Sequence, residues 1–342
     1  MYIPTRILFE KGSMNYEIGK RIYQRFITNK DVELIELQGN KIMEHIPGNN
    51  PPETYKEGKN TLVVGVKKGL KFQTCKPSAH YQLPLLSGCI GHCQYCYLNT
   101  NLGDKPYMRI NVNVEEILKQ AEQYILERKP EITIFEGSAT SDPVPVEPYS
   151  NLLKTAIEYF GASSHGRFRF VTKYTEIDSL LDANHQGHTE IRFTLNTDQV
   201  IKNYENRTPS MAKRIDASIK VIQAGYPMGY LIAPVFLYEN WQEDYQMLLL
   251  HLRERLPEKL FHPLTFEIIS HRYTSRAKEV INEVFPENEL PMSEEDRSYK
   301  YGQFGYGKYV YPKDKLSEVS AFFQKEIATI FKDYDIEIKY II

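Results

Sequence analysis

The chain reads as an α/β protein built on a parallel sheet, and three observations carry that reading. From about Gln82 onward, short β-rich runs alternate with helical runs, the pattern of parallel strands joined by crossover helices. The helical runs are amphipathic, with apolar residues at i, i+3, i+4 and i+7. With 342 residues, 42% of them hydrophobic and 25% charged, the chain can bury the core that such a sheet needs. A doubly wound sheet and a curled barrel both satisfy the alternation. Both place the chemistry at the C-terminal ends of the strands.

The elements follow in order. Residues 1–80 contain a helical run over "MNYEIGKRIYQRF" and a strand "DVELIEL". A polar, proline-rich loop "HIPGNNPPETYKEG" and a strand "TLVVGVKK" follow, so this segment reads as a small N-terminal α/β extension. Residues 81–290 contain six candidate strands, at 81–86, 131–136, 167–172, 190–195, 228–236 and 264–270. Helices such as "VEEILKQAEQYILERK" and "DYQMLLLHLRERL" lie between them. Residues 291–342 begin with "RSYKYGQFGYGKYVYP", where Tyr301, Phe304, Tyr306 and Tyr309 alternate with glycines and predict a β-hairpin. The helix "LSEVSAFFQKEIATIFKDY" and the strand "IEIKYII" close the chain.

Composition narrows the function. A formal net charge of −2 gives no global attraction to nucleic acid, so any DNA contact needs a local basic surface. No apolar run is long enough to cross a bilayer, and "MYIPTRILFEKGS" lacks a signal peptide's apolar middle. The expectation is a cytoplasmic protein with no membrane partner.

Three of the four cysteines lie in "SGCIGHCQYCYLNT": Cys89, Cys93 and Cys96, just after the first strand of the alternating array. Such a cluster does not resemble the even, dispersed spacing of a disulfide framework. Three thiolates can each hold one iron of a [4Fe–4S] cube and leave the fourth iron open. A structural zinc with His80 or His92 as fourth ligand is the competing reading. Zinc sites, however, usually come as two separated ligand pairs, and no second pair is present. Cys75 has no partner spacing and reads as an ordinary thiol.

The triplet, with an aromatic residue before its third cysteine, resembles the signature of the radical S-adenosylmethionine superfamily. Together with "FEGSATSDPV", "FVTKY", "RFTLNTD", "GYLIAPV", "HRYTSRAK" and "YGQFGYGKYVYP" it resembles the spore photoproduct lyase family, in that family's order and across nearly the whole chain. The resemblance implies a partial (β/α)6 TIM-like barrel with N- and C-terminal extensions, holding a [4Fe–4S] cluster and S-adenosyl-L-methionine. It implies a DNA repair lyase acting on the ultraviolet lesion 5-thyminyl-5,6-dihydrothymine in double-stranded DNA. The lesion would be reversed to two thymines by a 5′-deoxyadenosyl radical. It further implies a monomer in the cytoplasm of a spore, reduced by a flavodoxin or ferredoxin.

Residue roles carry over in the same way. Cys89, Cys93 and Cys96 would ligate the cluster. Tyr95 and Tyr97 would return a hydrogen atom, with Tyr95 also near the cofactor. Ser141, Asp142, Lys173, Thr194, Asn196 and the backbone at Ala233 would form the cofactor pocket. Arg272 and Lys308 would contact phosphate or lesion, Tyr301 and Phe304 would act as wedges, and Arg297 and Lys300 would add charge around the hairpin. At Ala139 the family pattern has a cysteine that gives a hydrogen atom to the thymine methylene radical. Alanine has no weak bond to donate, so the resemblance implies an impaired variant in which cleavage survives and clean quenching fails. Two other readings stand beside this one: a radical S-adenosylmethionine enzyme with an RNA or peptide substrate, and a zinc-stabilised nucleic-acid-binding protein.

Overall fold

The computed structural model describes residues 2–39, 41–301 and 307–341. The chain forms two compact units, residues 1–91 with 101–191, and residues 92–100 with 192–342. Within the described residues no helix is long and apolar enough to cross a membrane.

The first unit holds two sheets. In one, Glu33–Glu36, Arg6–Phe9, Thr61–Gly65 and Met108–Asn111 run parallel in that order, and Leu86–Ser87 closes the edge antiparallel to Met108–Asn111. In the other, Ala79–Gln82, Thr133–Glu136 and Gly166–Thr172 run parallel, and Thr74–Cys75 turns back antiparallel on Ala79–Gln82. The second unit is built on Met228–Val235, Leu264–Ser270 and Ile336–Ile341, all parallel. Helices alternate with these strands, as in Val114–Arg128, Leu152–Ala162, Met211–Gln223 and Trp241–Arg255. This is the expected α/β class, with the strand and helix order of a partial (β/α)6 TIM-like barrel.

Two strands show why the sheet carries charge at its centre. Gly166–Thr172 and Leu264–Ser270 both alternate buried and half-buried positions, the two-residue period of a strand with unlike faces. Phe168 and Phe170 take the buried face, where Phe168 stacks on Phe160 of the helix Leu152–Ala162 with ring centroids 5.4 Å apart. Arg169 takes the opposite face. There it meets Glu136 at 3.3 Å and Glu190 at 3.7 Å.

The structure corrects two expectations. The expected strand at 81–86 is broken: Ala79–Gln82 and Leu86–Ser87 belong to different sheets. Pro84 lies between them and cannot donate to a ladder. The proline-rich stretch read as a loop contains the helix Pro51–Lys59. Two prolines suit a first helical turn, whose N–H groups have no intrahelical acceptor. Asn50 caps the helix by accepting from the Glu53 N–H at 3.0 Å, and the Glu53 carboxylate accepts from Asn49 N–H at 3.0 Å.

Candidate functional site

In the first unit the cysteine loop is fastened to the loop after Thr133–Glu136. Gly88 forms a parallel bridge with Ser141; its N–H donates to Thr140 O at 2.8 Å, and Asp142 N–H donates back to Gly88 O at 3.3 Å. Gly88 has φ +85°, and a Cβ there would stand 2.3 Å from the Tyr107 carbonyl oxygen. Only glycine fits. Half-buried Ala139 therefore lies two residues before a position locked to the cysteine loop.

Cys89 is approached from two sides. Gly91 N–H points to its Sγ at 3.3 Å, and the Lys59 Nζ donates to its carbonyl at 2.8 Å. Asp142 is buried and accepts from Thr172 Oγ1 at 2.7 Å, Lys173 N at 2.8 Å and Val144 N at 3.3 Å. Burial pushes its carboxyl up to about 6 against those hydrogen bonds. Asp142 thus sets how the chain leaves Gly166–Thr172 and where Lys173 begins. Ser141 Oγ donates to Gly137 O at 3.4 Å, while Ser138 Oγ donates to Glu136 at 2.6 Å and accepts from Val171 N–H at 2.7 Å.

The second unit carries the other two cysteines. His92–Cys93 pairs antiparallel with Glu205–Asn206, with Cys93 opposite Glu205. Asn99 Nδ2 donates to Cys93 O at 3.2 Å, and Cys96 N–H to the same oxygen at 3.2 Å. Tyr95 donates its phenolic hydrogen to Glu205 and packs against Phe236, centroids 5.8 Å apart. Burial first, then the Glu205 charge, hold this phenol well above its ordinary range. Tyr97 differs: it is 55% exposed. Glu205 also meets Arg214 at 2.6 Å, and Arg214 donates to Thr208 Oγ1, Pro209 O and the carbonyl of buried Thr194. Asn196 is held by Pro234 O, the Tyr245 hydroxyl and Thr197 N–H. Ala233, half-buried, precedes Pro234 through a cis peptide.

The hairpin forms from Ser298–Tyr301 and Gly307–Val310, with Lys300 opposite Lys308. Tyr301 is 70% exposed. Phe304 lies outside the described residues. Arg272 is exposed, and its charge adds to burial in lowering the Lys308 amine. Arg297 departs from the expected surface role. It is buried, donates to His271 O and Pro291 O at 2.8 Å each, and lies 3.6 Å from the Tyr311 ring centroid. A planar cation in an aromatic setting is a framework element.

All four cysteines carry thiols. Among the described residues, no three His, Cys, Asp or Glu side chains form a group that could hold a single metal ion. A [4Fe–4S] cube asks each cysteine for a different iron. The donor set fits that group: three thiols on one loop, with an N–H directed at one sulfur and a buried amino group beside it. Sequence reasoning missed Lys59, Glu205, Arg214, Glu136 and Arg169. No local motif marks them: Lys59 meets Cys89 across 30 residues and Glu205 meets Tyr95 across 110, and Arg214 reaches Glu205 only through the packing of its helix Met211–Gln223.

The three-cysteine loop that follows Leu86–Ser87 and is bridged through Gly88 to the loop after Thr133–Glu136 has the pattern of the radical S-adenosylmethionine enzymes, the class that uses a [4Fe–4S] cluster with S-adenosylmethionine. The family profile described as "Spore photoproduct lyase" matches residues 2–341. The chain is similar to the spore photoproduct lyase of Clostridium acetobutylicum, 52% identical over 98% of both chains, and to that of Bacillus subtilis, 45% identical over 98% of both. It is similar in structure to a spore photoproduct lyase double mutant, one cysteine changed to alanine and one serine to cysteine, with bound AdoMet and dinucleoside spore photoproduct. There the TM-score is 0.95 and the identity 42%, covering 100% of this chain and 99% of that one. The chain belongs to the spore photoproduct lyase family.

Proposed function

We infer that this chain is a DNA repair lyase that restores two thymines from the spore photoproduct. The family match over residues 2–341 supports this, and the Gly88–Ser141 bridge adds a geometric reason. That bridge ties the first cluster cysteine to the loop whose residue 139 quenches the product radical in the family. Cys89, Cys93 and Cys96 would hold the cluster, which supplies, with bound AdoMet, the radical that starts repair. Lys173, positioned by Asp142, would meet the AdoMet carboxylate as a point charge. By the same resemblance Ser141, Thr194, Asn196 and the backbone at Ala233 would also be AdoMet-contacting positions.

Ala139 need not leave the reaction without a donor. The two substitutions in the double mutant relative lie as far apart in sequence as Cys75 and Ala139 do here. Cys75 occupies the strand beside Ala79–Gln82, which in turn flanks Thr133–Glu136, the strand leading to Ala139. The Cys75 S–H would give its hydrogen atom to the thymine methylene radical, forming the methyl C–H bond and leaving a thiyl radical. In the family pattern Tyr97 would pass the hydrogen atom of its O–H to that sulfur and regain one from 5′-deoxyadenosine, the product of the initiating abstraction, so that AdoMet is regenerated. Tyr95 would assist in the same transfer.

The substrate would be double-stranded DNA carrying the lesion, met by Arg272, Lys308 and the exposed face of Tyr301. A one-electron carrier of the flavodoxin or ferredoxin kind would reduce the cluster, and a monomer in a reducing cytoplasm suits the thiols. The test is anaerobic reconstitution with iron and sulfide, then AdoMet, dithionite and dinucleoside spore photoproduct. Thymidine release is expected. A protein that binds zinc and no sulfide, or cleaves AdoMet without repairing the lesion, would overturn the reading.

A further inference from the structure

A buried lysine stands beside the first cysteine of the loop, and among the described residues no anion balances it. Lys59 ends the helix Pro51–Lys59 and is fully buried. Its Nζ donates to the Cys89 carbonyl at 2.8 Å and lies 5.2 Å from the centroid of the Tyr55 ring. Among the described residues no carboxylate comes within ion-pair reach of it. The negative end of its own helix offsets part of the charge. A carbonyl, a ring and a helix end do not replace a counter-ion, and an isolated buried cation is costly.

We propose that Lys59 is the counter-charge of the iron–sulfur cluster and sets its reduction potential. The inference rests on the ligand set proposed above. Three thiolates bring more negative charge than the core of the cube cancels, and one added electron makes the whole more negative still. A fixed positive charge beside one ligand stabilises the reduced state more than the oxidised one, and low local polarity strengthens the effect. The Gly91 N–H directed at Cys89 Sγ works in the same direction. Lys59 would thus govern how readily the cluster accepts its electron while touching neither AdoMet nor DNA.

The experiment uses the full chain, reconstituted anaerobically and titrated with dithionite, with the reduced cluster followed by electron paramagnetic resonance and neither AdoMet nor DNA present. Lys59→Met should lower the equilibrium constant for one-electron reduction about tenfold, a potential about 59 mV more negative. Lys59→Arg should stay with the wild type. Equal potentials for Lys59→Met and wild type overturn the proposal. A wild type that takes up no iron and sulfide overturns the ligand set instead. Should Lys59→Met not load, melting of the cluster-free proteins decides. The variant should then melt above the wild type, because an unbalanced charge has gone. Melting below it marks Lys59 as a tether for the loop and overturns the proposal.

Discussion

Arg214 and Glu205 meet at 2.6 Å with neither side chain reaching solvent, and the same carboxylate takes the phenolic hydrogen of Tyr95. The pair therefore supports the cysteine loop twice, through Tyr95 and through the backbone pairing of Glu205 with Cys93. Arg214→Met should destabilise the protein by about 3–5 kcal/mol, because it leaves a buried carboxylate unbalanced. The double variant Glu205→Met, Arg214→Met should lose less than the sum of the singles. Urea unfolding of all three variants measures this, and simple additivity would contradict it.

Removing the Cys75 thiol tests its assignment as the hydrogen donor. Cys75→Ala should keep lesion cleavage but lose clean thymine formation, with side products in its place. Adding Ala139→Cys to that variant should recover thymine. Product chromatography decides between this and the impaired-variant reading, in which Cys75→Ala changes nothing and Ala139→Cys alone restores the product.

Gly88→Ala should cost about 1–3 kcal/mol from the left-handed backbone alone, beyond the clash with Tyr107 O. Because Gly88 ties the cysteine loop to Ser141, iron uptake on reconstitution should fall further than stability does. Calorimetry and iron analysis on the same samples separate the two losses.

His271 predicts a pH dependence. Burial, with Arg297 adding to it, pulls its imidazole down to about 3. Unfolding returns it to the ordinary value near 6.5. Between these values the unfolded chain binds more protons, so stability is full above pH 6.5 and falls with acid, at about 1.4 kcal/mol per pH unit. His271→Gln should flatten that part of the unfolding profile.

Arg272→Ala and Lys308→Ala should each weaken binding to a lesion-bearing duplex. If each neutralises one phosphate, each substitution reduces the slope of log affinity against log salt by about 1. An unchanged slope would remove that residue from the DNA contact.

The parallel strands were largely legible because alternation is local: Gly166–Thr172, Thr189–Leu195 and Leu264–Ser270 lie within a residue or so of their expected places. The helix Pro51–Lys59 was not, since its composition resembles a loop and its start depends on the Asn50 and Glu53 hydrogen bonds. Arg297 was misplaced on the surface because charge alone does not show that two aromatic rings will enclose it.

The amino-acid sequence alone determined the chemistry, because three thiols on one short loop and the residues around them are neighbours along the chain. Only the tertiary structure decided what surrounds that loop. Lys59 reaches Cys89 across 30 residues and Glu205 reaches Tyr95 across 110. Which charge balances which in a protein interior depends on packing that brings distant segments together, and no local pattern records it.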